Sequence, residues 1–263
     1  MNVLDRIVAH KKEEISIRRN LISYQDLEKY PLFEKGTKSM SASIKNPTKS
    51  GIIAEFKRES PSKGIINNSV GVVEVTKMYE EAGASGISVL TDTRFFGGNV
   101  YDLNLAAQQI NIPIIRKDFF VDEFQILEAK AIGASAILLI AAVLTKQEIS
   151  RLARFASSLG LESLLEVHSA DELEKIVPEV AMVGVNNRNL KTFDVDVKSS
   201  LELVDRIPDE FVKISESGIS QVETISMLRQ AGYQGFLIGE NFMRTVNPGE
   251  ACIEFVKELN NLA

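Results

Sequence analysis

Short apolar runs rich in β-branched residues alternate along this chain with longer amphipathic segments. Most of these runs are bounded by glycine, proline or polar residues, which is typical of buried strands. We therefore predict eight strands, at Ile52–Phe56, Gly86–Leu90, Pro113–Arg116, Ala136–Ile140, Ser163–Val167, Ala181–Val185, Val212–Ser215 and Gly235–Ile238.

The segments between these runs are rich in Glu, Lys, Leu and Ala and carry the pattern of surface helices. Gly83, Gly133, Gly160 and Gly232 each follow such a segment, as a glycine in the left-handed conformation does at a helix end. The predicted helices include Val72–Ala82, Glu123–Ala131, Lys146–Ser158, Ala170–Ile176 and Val222–Ala231.

Apolar strands that alternate with amphipathic helices predict an α/β fold with a parallel sheet covered by helices. Eight such units favour a closed (β/α)8 TIM barrel, with an open doubly wound sheet as the alternative. We expect residues 1–263 to form one domain, in which residues 1–46 are an N-terminal extension of one or two helices. The apolar stripe of this extension is Leu4, Ile7, Val8, Ile15 and Leu21.

Composition and charge narrow the class of protein. A net charge of −6 argues against a general nucleic-acid binder. The single cysteine, Cys252, excludes an intrachain disulfide and fits a reducing compartment. The first twenty residues lack the apolar core of a signal peptide, and the run Ala136–Leu144 is too short to span a bilayer. We therefore expect a cytoplasmic protein without a membrane segment.

Two charged residues stand at the end of the first predicted strand. Glu55 and Lys57 are two positions apart, so their side chains share one face of the strand. A carboxylate and an ammonium group on a buried face are costly unless they are paired or used. The turn from Ser60 to Gly64 follows directly and could contact a ligand. This pattern predicts one wall of an active site.

Polar residues end most of the other strands as well. Active sites of barrels lie at the carboxyl ends of the strands. Contact with water explains any one of these residues, but the opposite strand ends are mostly Gly, Ala, Pro or Ser, which favours a site on one face. Lys117 is in phase with Ile115, which places Asp118 on the other face. The candidates are Lys117, Glu166, Asn186, Arg188, Glu216, Ser217, Gly218, Gly239 and Glu240.

Gly218 and Gly239 carry a second signal, because each stands where one of the last two strands passes into a loop. Glycine lets backbone N–H groups approach an anion, and these two loops are the usual phosphate site of a barrel. Simple turn glycines are the alternative, but the pair favours a phosphorylated substrate. No nucleotide fingerprint and no metal-ligand spacing is present, so neither a nucleotide cofactor nor a catalytic metal is indicated. His10 fits an exposed helix, and His168 fits a loop or cap role.

Seven segments, taken in order, closely resemble the indole-3-glycerol-phosphate synthase family of tryptophan biosynthesis. They are IAEFKRESPSKG, VLTDTRFFGG, IIRKDFFVDEFQI, LLEVH, VGVNNRNL, SESGI and FLIGENFMR. The opening VLDRIVAHKKEEI is also similar to the family's first helix, so the resemblance runs from about Val3 to Arg244.

The resemblance implies a barrel whose N-terminal extension partly covers the mouth. It implies a carboxy-lyase that converts 1-(2-carboxyphenylamino)-1-deoxyribulose 5-phosphate to indole-3-glycerol phosphate, carbon dioxide and water without a cofactor. In this family Lys117 would protonate the carbonyl oxygen, held by carboxylates such as Glu55. Glu166 would assist proton removal and loss of the hydroxyl, and Lys57 would contact substrate anions and assist the acid step.

Other residues would hold the substrate, again by resemblance. Asn186 and Glu216 would orient the sugar hydroxyls and the lysines. Ser60 and Arg188 would meet the anthranilate carboxylate. Phe96 and Phe119 are candidates for an aromatic pocket, unless they are ordinary core residues. The phosphate would be held by Gly218, Gly239 and the amides of Ser217 and Glu240.

Three alternatives remain open for the sequence alone. One is a sugar-phosphate isomerase or epimerase on the same fold, and another is an aldolase in which Lys117 forms a Schiff base. The third is a non-catalytic sugar-phosphate sensor or assembly subunit, but such a protein would not need the proton donors. Fold alone selects none of them. A monomer is the default, and association with other tryptophan-pathway enzymes stays open.

Overall fold

Eight parallel strands close into a barrel in the computed structural model of this chain, which describes residues 3–189 and 192–262. Each strand pairs with its neighbours in the chain, and the eighth closes on the first with Leu237 opposite Ile53. The predicted closed barrel is confirmed, and each strand end lies within one residue of its predicted position. The strands are β1 (Ile52–Phe56), β2 (Gly86–Leu90), β3 (Ile114–Lys117), β4 (Ala136–Ile140), β5 (Glu162–Val167), β6 (Met182–Asn186), β7 (Val212–Glu216) and β8 (Gly235–Ile238).

Helices precede, separate and follow the strands. The predicted left-handed glycines are confirmed, with φ of 90° at Gly83, 93° at Gly133, 74° at Gly160 and 113° at Gly232. The α-helices are α1 (Val3–Leu21), α2 (Tyr24–Glu28), α3 (Met40–Lys45), α4 (Val72–Glu81), α5 (Thr93–Phe96), α6 (Val100–Gln109), α7 (Glu123–Ala131), α8 (Lys146–Ser158), α9 (Lys198–Leu203), α10 (Val222–Ala231), α11 (Glu240–Met243) and α12 (Pro248–Asn261).

Three shorter elements complete the secondary structure of the described residues. Ala170–Lys175 and Val204–Arg206 are 3₁₀ helices, and a hairpin of Glu59–Ser60 with Gly64–Ile65 follows β1. The first 3₁₀ helix stops shortly before Pro178, since a residue that precedes proline disfavours the helical conformation. Among the described residues no helix is long and apolar enough to cross a membrane.

The N-terminal region forms three helices, where the sequence pattern predicts one or two. Ile7 and Ile15 of α1 are buried as predicted, but Leu21 is 76% exposed because it is the last residue of the helix and has no core beneath it. The third helix, α3, buries Met40 and Ile44 in the same apolar cluster as the inward residues of the strands. It therefore closes the amino end of the barrel.

Two glycines make room for α3 at the amino ends of their strands. A β-carbon on Gly86 would overlap the sulfur of Met40, and one on Gly235 would lie 3.4 Å from Ile44. We predict that Gly86→Ala lowers the free energy of unfolding by about 1–3 kcal/mol, because overpacking forces neighbours out of place. Urea denaturation measures this change. Gly36→Ala is the matched control, since no atom lies within 4 Å of that added carbon. Equal stability of the two variants would contradict the packing role of Gly86.

Candidate active site

Two lysines and three glutamates meet at the carboxyl ends of the strands. Nζ of Lys57 lies 2.8 Å from Oε1 of Glu55, and Nζ of Lys117 lies 3.3 Å from Oε2 of Glu166. Lys117 also donates a short hydrogen bond to Oε2 of Glu216. We call these five residues the charged cluster. It assembles because each side chain points inward from the end of its strand.

The carboxylates of the charged cluster are buried, and they decide the ionisation of Lys117. Glu55 and Glu166 are each 3% exposed and Glu216 is 1% exposed. Burial alone would lower the pKa of Lys117, but the carboxylates of Glu216, Glu166 and Glu55 outweigh it and raise that pKa above its ordinary value. Lys117 is therefore an ammonium group at neutral pH and can act as a proton donor.

The three carboxylates differ in their ionisation. Burial works against the charged form of Glu55, but Lys57 and Lys117 hold its pKa below the ordinary value. Burial, the larger effect, and repulsion from the other two carboxylates raise the pKa of Glu216 to about 7, against the attraction of Lys117. Three carboxylates facing two ammonium groups explain why one of them holds its proton more tightly than usual.

A cavity of about 140 Å³ adjoins the charged cluster. Phe96 and Phe119 line it with their ring centroids 5.9 Å apart. Leu4 and Ile7 of α1 line it as well, so the N-terminal extension covers part of the mouth. The cavity joins an apolar wall suited to an aromatic ring with an ionic wall suited to acid–base chemistry.

A second cavity, of about 360 Å³, lies where β7 and β8 end. Ser217, Gly218, Gly239 and Glu240 line it, which are the residues predicted to hold a phosphate. Ser217 and Gly218 both have a positive φ, of 69° and 77°, so the chain turns sharply at this wall. The basic side chains on its wall are Lys57, Lys63, Arg188 and Arg244.

Two glycines leave space that carboxylates of the charged cluster fill. A β-carbon on Gly239 would lie 2.7 Å from Oε1 of Glu55, and one on Gly184 of β6 would overlap Oε1 of Glu216. Gly239 therefore leaves room for the Glu55 carboxylate and also lines the second cavity. The sequence pattern predicted the place of Gly239 but gave no role to Gly184.

Arg188 lines both cavities, and Asn186 lines the first. Asn186 hydrogen-bonds to Glu166, and its Oδ1 accepts a bond of 3.0 Å from the backbone N–H of Arg188. The Arg188 guanidinium lies 3.2 Å from Oε2 of Glu240 and 3.4 Å from Oγ of Ser62. The carboxylate of Glu240 thus orients Arg188, in addition to the predicted use of its backbone amide.

Ser60, which the resemblance places at the anthranilate carboxylate, lies behind the residues that line the two cavities. Of the hairpin residues that the structure describes, Pro61 and Ser62 line the first cavity, whereas Ser60 lines neither cavity. Oγ of Ser60 is 3.4 Å from Oγ of Ser62. The strand containing Ser60 is committed to pairing with Gly64, which leaves the turn to face the site.

Lys11 is a buried charge that the sequence pattern assigned to no site. It is 1% exposed, and its Nζ lies 2.8 Å from Glu14, 2.9 Å from Asp92 and 3.0 Å from Asp118. Asp118 directly follows Lys117 and points to the opposite face, so α1 is tied to the strand end that carries Lys117. One sequence signal indicates that Lys11 is buried. It lies four residues from each of the buried residues Ile7 and Ile15, and therefore on the same face of the helix.

The ion pairs of Lys11 continue along the outside of the barrel. Asp118 also accepts a bond of 3.1 Å from Arg116, whose guanidinium lies 2.9 Å from Glu128. Glu128 also forms an ion pair with Arg18, so α1 contributes a second residue, after Lys11, to these ion pairs. The extension is therefore fixed to the barrel by charges at two successive points of one helix.

The two histidines lie in different settings. His10 is partly exposed on α1, with Nδ1 3.1 Å from Arg94 and its ring edge-on to Phe95. His168 follows β5 as predicted, but its ring is turned inward, 3.4 Å from Oε1 of Glu166. His168 therefore adjoins the charged cluster, although the sequence pattern treated it as a loop residue.

Solved structures confirm the fold. The tryptophan synthase complex from Pyrococcus furiosus matches with a TM-score of 0.60 and 14% identity, over 81% of this chain and 99% of that chain. The tryptophan synthase subunit alpha from Legionella pneumophila matches with a TM-score of 0.61 and 11% identity, over 84% and 95%. At such identities the likeness concerns the fold alone.

Relatives by sequence are much closer. The family model for indole-3-glycerol phosphate synthase matches residues 4–255. The chain is 46% identical over 258 residues to the indole-3-glycerol phosphate synthase of Bacteroides thetaiotaomicron, covering 98% of this chain and 99% of that protein. Identity to that of Burkholderia ambifaria is 40% over 253 residues, covering 95% and 97%. With the family model and these relatives spanning nearly its whole length, the chain belongs to the indole-3-glycerol phosphate synthase family.

Proposed function

We propose that the charged cluster converts 1-(2-carboxyphenylamino)-1-deoxyribulose 5-phosphate to indole-3-glycerol phosphate, carbon dioxide and water. Lys117 carries this proposal, since it is an ammonium group held by buried carboxylates beside a cavity with an aromatic wall. The reaction needs a proton donor at a carbonyl oxygen, a proton acceptor, and pockets for an aromatic ring and a phosphate. The two cavities and the cluster supply each of these.

Lys117 serves the ring closure. A carbon–carbon bond forms between the aromatic carbon that bears the carboxylate and the carbonyl carbon of the sugar. The carbonyl oxygen gains negative charge, and the ammonium of Lys117 donates a proton to it. Because Glu166 and Glu216 fix this ammonium before substrate binds, little reorganisation is needed during the step. Carbon dioxide then leaves, and the electron pair of the broken bond restores the aromatic ring.

Glu166 serves the dehydration. Burial works against the charged form of Glu166, but Lys117 and His168 hold its pKa below the ordinary value, so it is a carboxylate at neutral pH. It accepts the proton that must leave carbon, while a neighbouring ammonium group protonates the departing hydroxyl, which becomes water. Lys57 lines both cavities and is placed to contact substrate anions and to assist in this acid step.

The remaining residues bind the substrate. The phosphate occupies the cavity at the ends of β7 and β8, beside Gly218 and Gly239. Phe96 and Phe119 contact the aromatic ring. Arg188, together with Ser62 and Ser60, binds the anthranilate carboxylate. Asn186 and Glu216 orient the sugar hydroxyls.

The state of Lys117 also weighs against a Schiff-base aldolase. Such a nucleophile must lose its proton, and enzymes achieve this by lowering the pKa of the lysine through desolvation or a neighbouring cation. The carboxylates around Lys117 do the reverse and raise its pKa. Proton donation is therefore the better use of this group.

A direct assay tests the function. The purified chain is mixed with the carboxyphenylamino deoxyribulose phosphate in the presence of a chelator, and indole fluorescence is followed. We expect the indole chromophore to form without added metal. A folded protein that yields no indole fluorescence under these conditions would falsify the assignment.

Replacement of Glu166 separates the later steps from the first. We expect Glu166→Gln to lower kcat by about 10²-fold, because the amide keeps the shape of the side chain but cannot take a proton. With substrate labelled in its carboxylate, labelled carbon dioxide should appear before indole fluorescence in a single turnover. Glu174→Gln, at an exposed position, is the control. If both signals slow together, Glu166 acts in the ring closure instead.

A further inference from the structure

His168 occupies a place in the fold that the proposed reaction does not yet use. It is the residue after β5 and lies two positions beyond Glu166, so it continues the inward row of that strand. Nε2 lies 3.4 Å from Oε1 of Glu166, and Nδ1 lies 3.4 Å from Oε2 of Glu172. Its side chain is 12% exposed. The imidazole therefore stands between two carboxylates, nearly out of contact with water.

Glu166 has a nitrogen group within ion-pair distance of each of its oxygens. Lys117 lies 3.3 Å from Oε2 on the side of the first cavity, and His168 lies against Oε1 on the other side. Asn186 supplies a further hydrogen bond to the same carboxylate. Both imidazole contacts are longer than a typical hydrogen bond, as catalytic contacts often are before substrate binds.

The 3₁₀ helix Ala170–Lys175 fixes the imidazole in place. Glu172 accepts a bond of 2.7 Å from the backbone N–H of His168 and faces Nδ1 with the same oxygen. Lys175 at the other end donates to the carbonyl oxygens of Ala141 and Leu144, at 2.6 and 3.0 Å. The 3₁₀ helix that carries Glu172 is thus anchored to the loop after β4.

His168 also borders a third cavity, of about 640 Å³, on the side away from Lys117. Charges act on the ring from each element packed around it. Glu166 and Glu216 on the strands and Glu172 on the 3₁₀ helix act on it directly. The other charged residues that line the same cavity are Asp5, Lys175, Arg188, Asp194 and Asp196.

A positive charge on His168 would balance the charged cluster. Glu55, Glu166 and Glu216 face only two ammonium groups, and this shortage of positive charge contributes to the raised pKa of Glu216. Burial opposes protonation of His168, but Glu172, Glu166 and Glu216 outweigh it and raise the pKa of the imidazole above its ordinary value. An imidazolium at this position keeps Glu166 ionised.

We propose that His168 is a positioning residue for Glu166, whose imidazolium holds Oε1 and leaves Oε2 for Lys117 and the substrate. The proposal rests on the proposed role of Glu166 in the reaction. It assigns Glu172 a supporting part, since that carboxylate orients the ring through both Nδ1 and the backbone. Loss of the imidazolium would leave Glu166 mobile and easier to protonate.

Proton NMR of the imidazole rings tests the pairing without any turnover. The chain has two histidines, so His10 is an internal reference in every titration. We expect the titration midpoint of His168 to lie above the ordinary value of about 6.5. Glu166→Gln should lower it by about one to three pH units, and Glu172→Gln should lower it as well, with His10 unmoved. A His168 midpoint that Glu166→Gln leaves unchanged would overturn the proposal.

Kinetics test the positioning role. His168→Asn can still reach Glu172 but not Glu166, whereas His168→Gln can still donate to Glu166 without a charge. We expect the Asn variant to lose about 10- to 10²-fold in kcat with KM nearly unchanged, and the Gln variant to lose less. In both, the acid limb of the kcat profile should move to higher pH, because Glu166 loses a neighbouring cation.

Controls make the outcomes decisive. Glu174→Gln lies on the same 3₁₀ helix at an exposed position and should change neither readout. A folded His168→Asn variant with the kcat and the pH profile of the parent chain would overturn the proposal. If that variant does not fold, the NMR titration of Glu166→Gln still decides. If the parent chain forms no indole, the proposed function fails, while the NMR result settles the pairing separately.

Discussion

Replacing Lys117 with methionine is expected to lower kcat/KM by about 10²- to 10⁴-fold, the usual contribution of a general acid. Methionine has a similar length but no proton to donate, so the carbonyl oxygen would develop charge with no partner at that position. The loss should persist at saturating substrate, because the missing interaction belongs to the transition state. Steady-state indole fluorescence measures it.

The same replacement should make stability depend on pH. Without the ammonium, the buried carboxylates of Glu166 and Glu216 would have folded-state pKa values above those of the unfolded chain. The stability that such groups contribute is fully present below their pKa in the unfolded chain. It is lost as the pH rises through their pKa in the folded chain. The melting temperature of Lys117→Met should therefore fall, relative to the parent chain, between about pH 5 and about pH 8.

Lys213→Met is the matched control for Lys117→Met. Lys213 is also a buried lysine on a barrel strand, but its Nζ lies 2.9 Å from Asp209 and 3.2 Å from the carbonyl oxygen of Val204. Its removal should leave kcat per folded molecule unchanged. Near-normal turnover by Lys117→Met would refute the acid role, whatever happens to the melting temperature.

Replacing Lys11 with methionine is expected to lower the free energy of unfolding by about 3–5 kcal/mol, because it leaves buried carboxylates without their cation. Asp92 and Asp118 are both almost fully buried at this point. Urea denaturation at neutral pH measures the loss. Limited proteolysis within α1 should quicken at the same time, since Lys11 ties that helix to the barrel.

The pH dependence of this loss follows from Asp118. Burial works against its charged form, but Lys11 and Arg116 hold its pKa well below the ordinary value. Such a group contributes stability that is present above the unfolded pKa and is lost as the pH falls through the folded one. The difference between Lys11→Met and the parent chain should therefore be largest near neutral pH and should shrink in acid.

Lys12→Met controls for the loss of charge on α1. Lys12 is the next residue of the helix and is exposed, so its replacement should change stability by no more than about 0.5 kcal/mol. If Lys11→Met were as stable as Lys12→Met, the buried ion pairs at α1 would not hold the extension in place.

The barrel could be predicted from the sequence because its strands are short, apolar and regularly spaced. Helix ends were equally clear where a glycine marks them, as at Gly232, which follows α10. The role of α3 could not be predicted in this way. Met40 and Ile44 are only two apolar positions in a six-residue helix, and their partners are strand residues far away in the chain.

The site could be predicted only where the alternation of side chains along a strand determines their direction. The inward direction of Lys117 and Glu166 follows from the period of two, once the barrel is assumed. Contacts between distant segments do not follow from that rule, which is why Lys11 and Asp118 were not joined in advance. The inward direction of His168 also follows from this rule, since it lies two positions beyond Glu166, but its contact with Glu172 depends on a 3₁₀ helix where the sequence pattern predicts an ordinary helix.

Gly184 and Gly239 set a limit on how this scaffold can be redesigned. Neither carries a side chain, and a carboxylate of the charged cluster occupies the space that a side chain would fill. Libraries that randomise the upper barrel in search of new substrates would displace Glu216 or Glu55 at nearly every other residue type. Engineers who seek new specificity should therefore keep these two positions fixed and vary the aromatic wall.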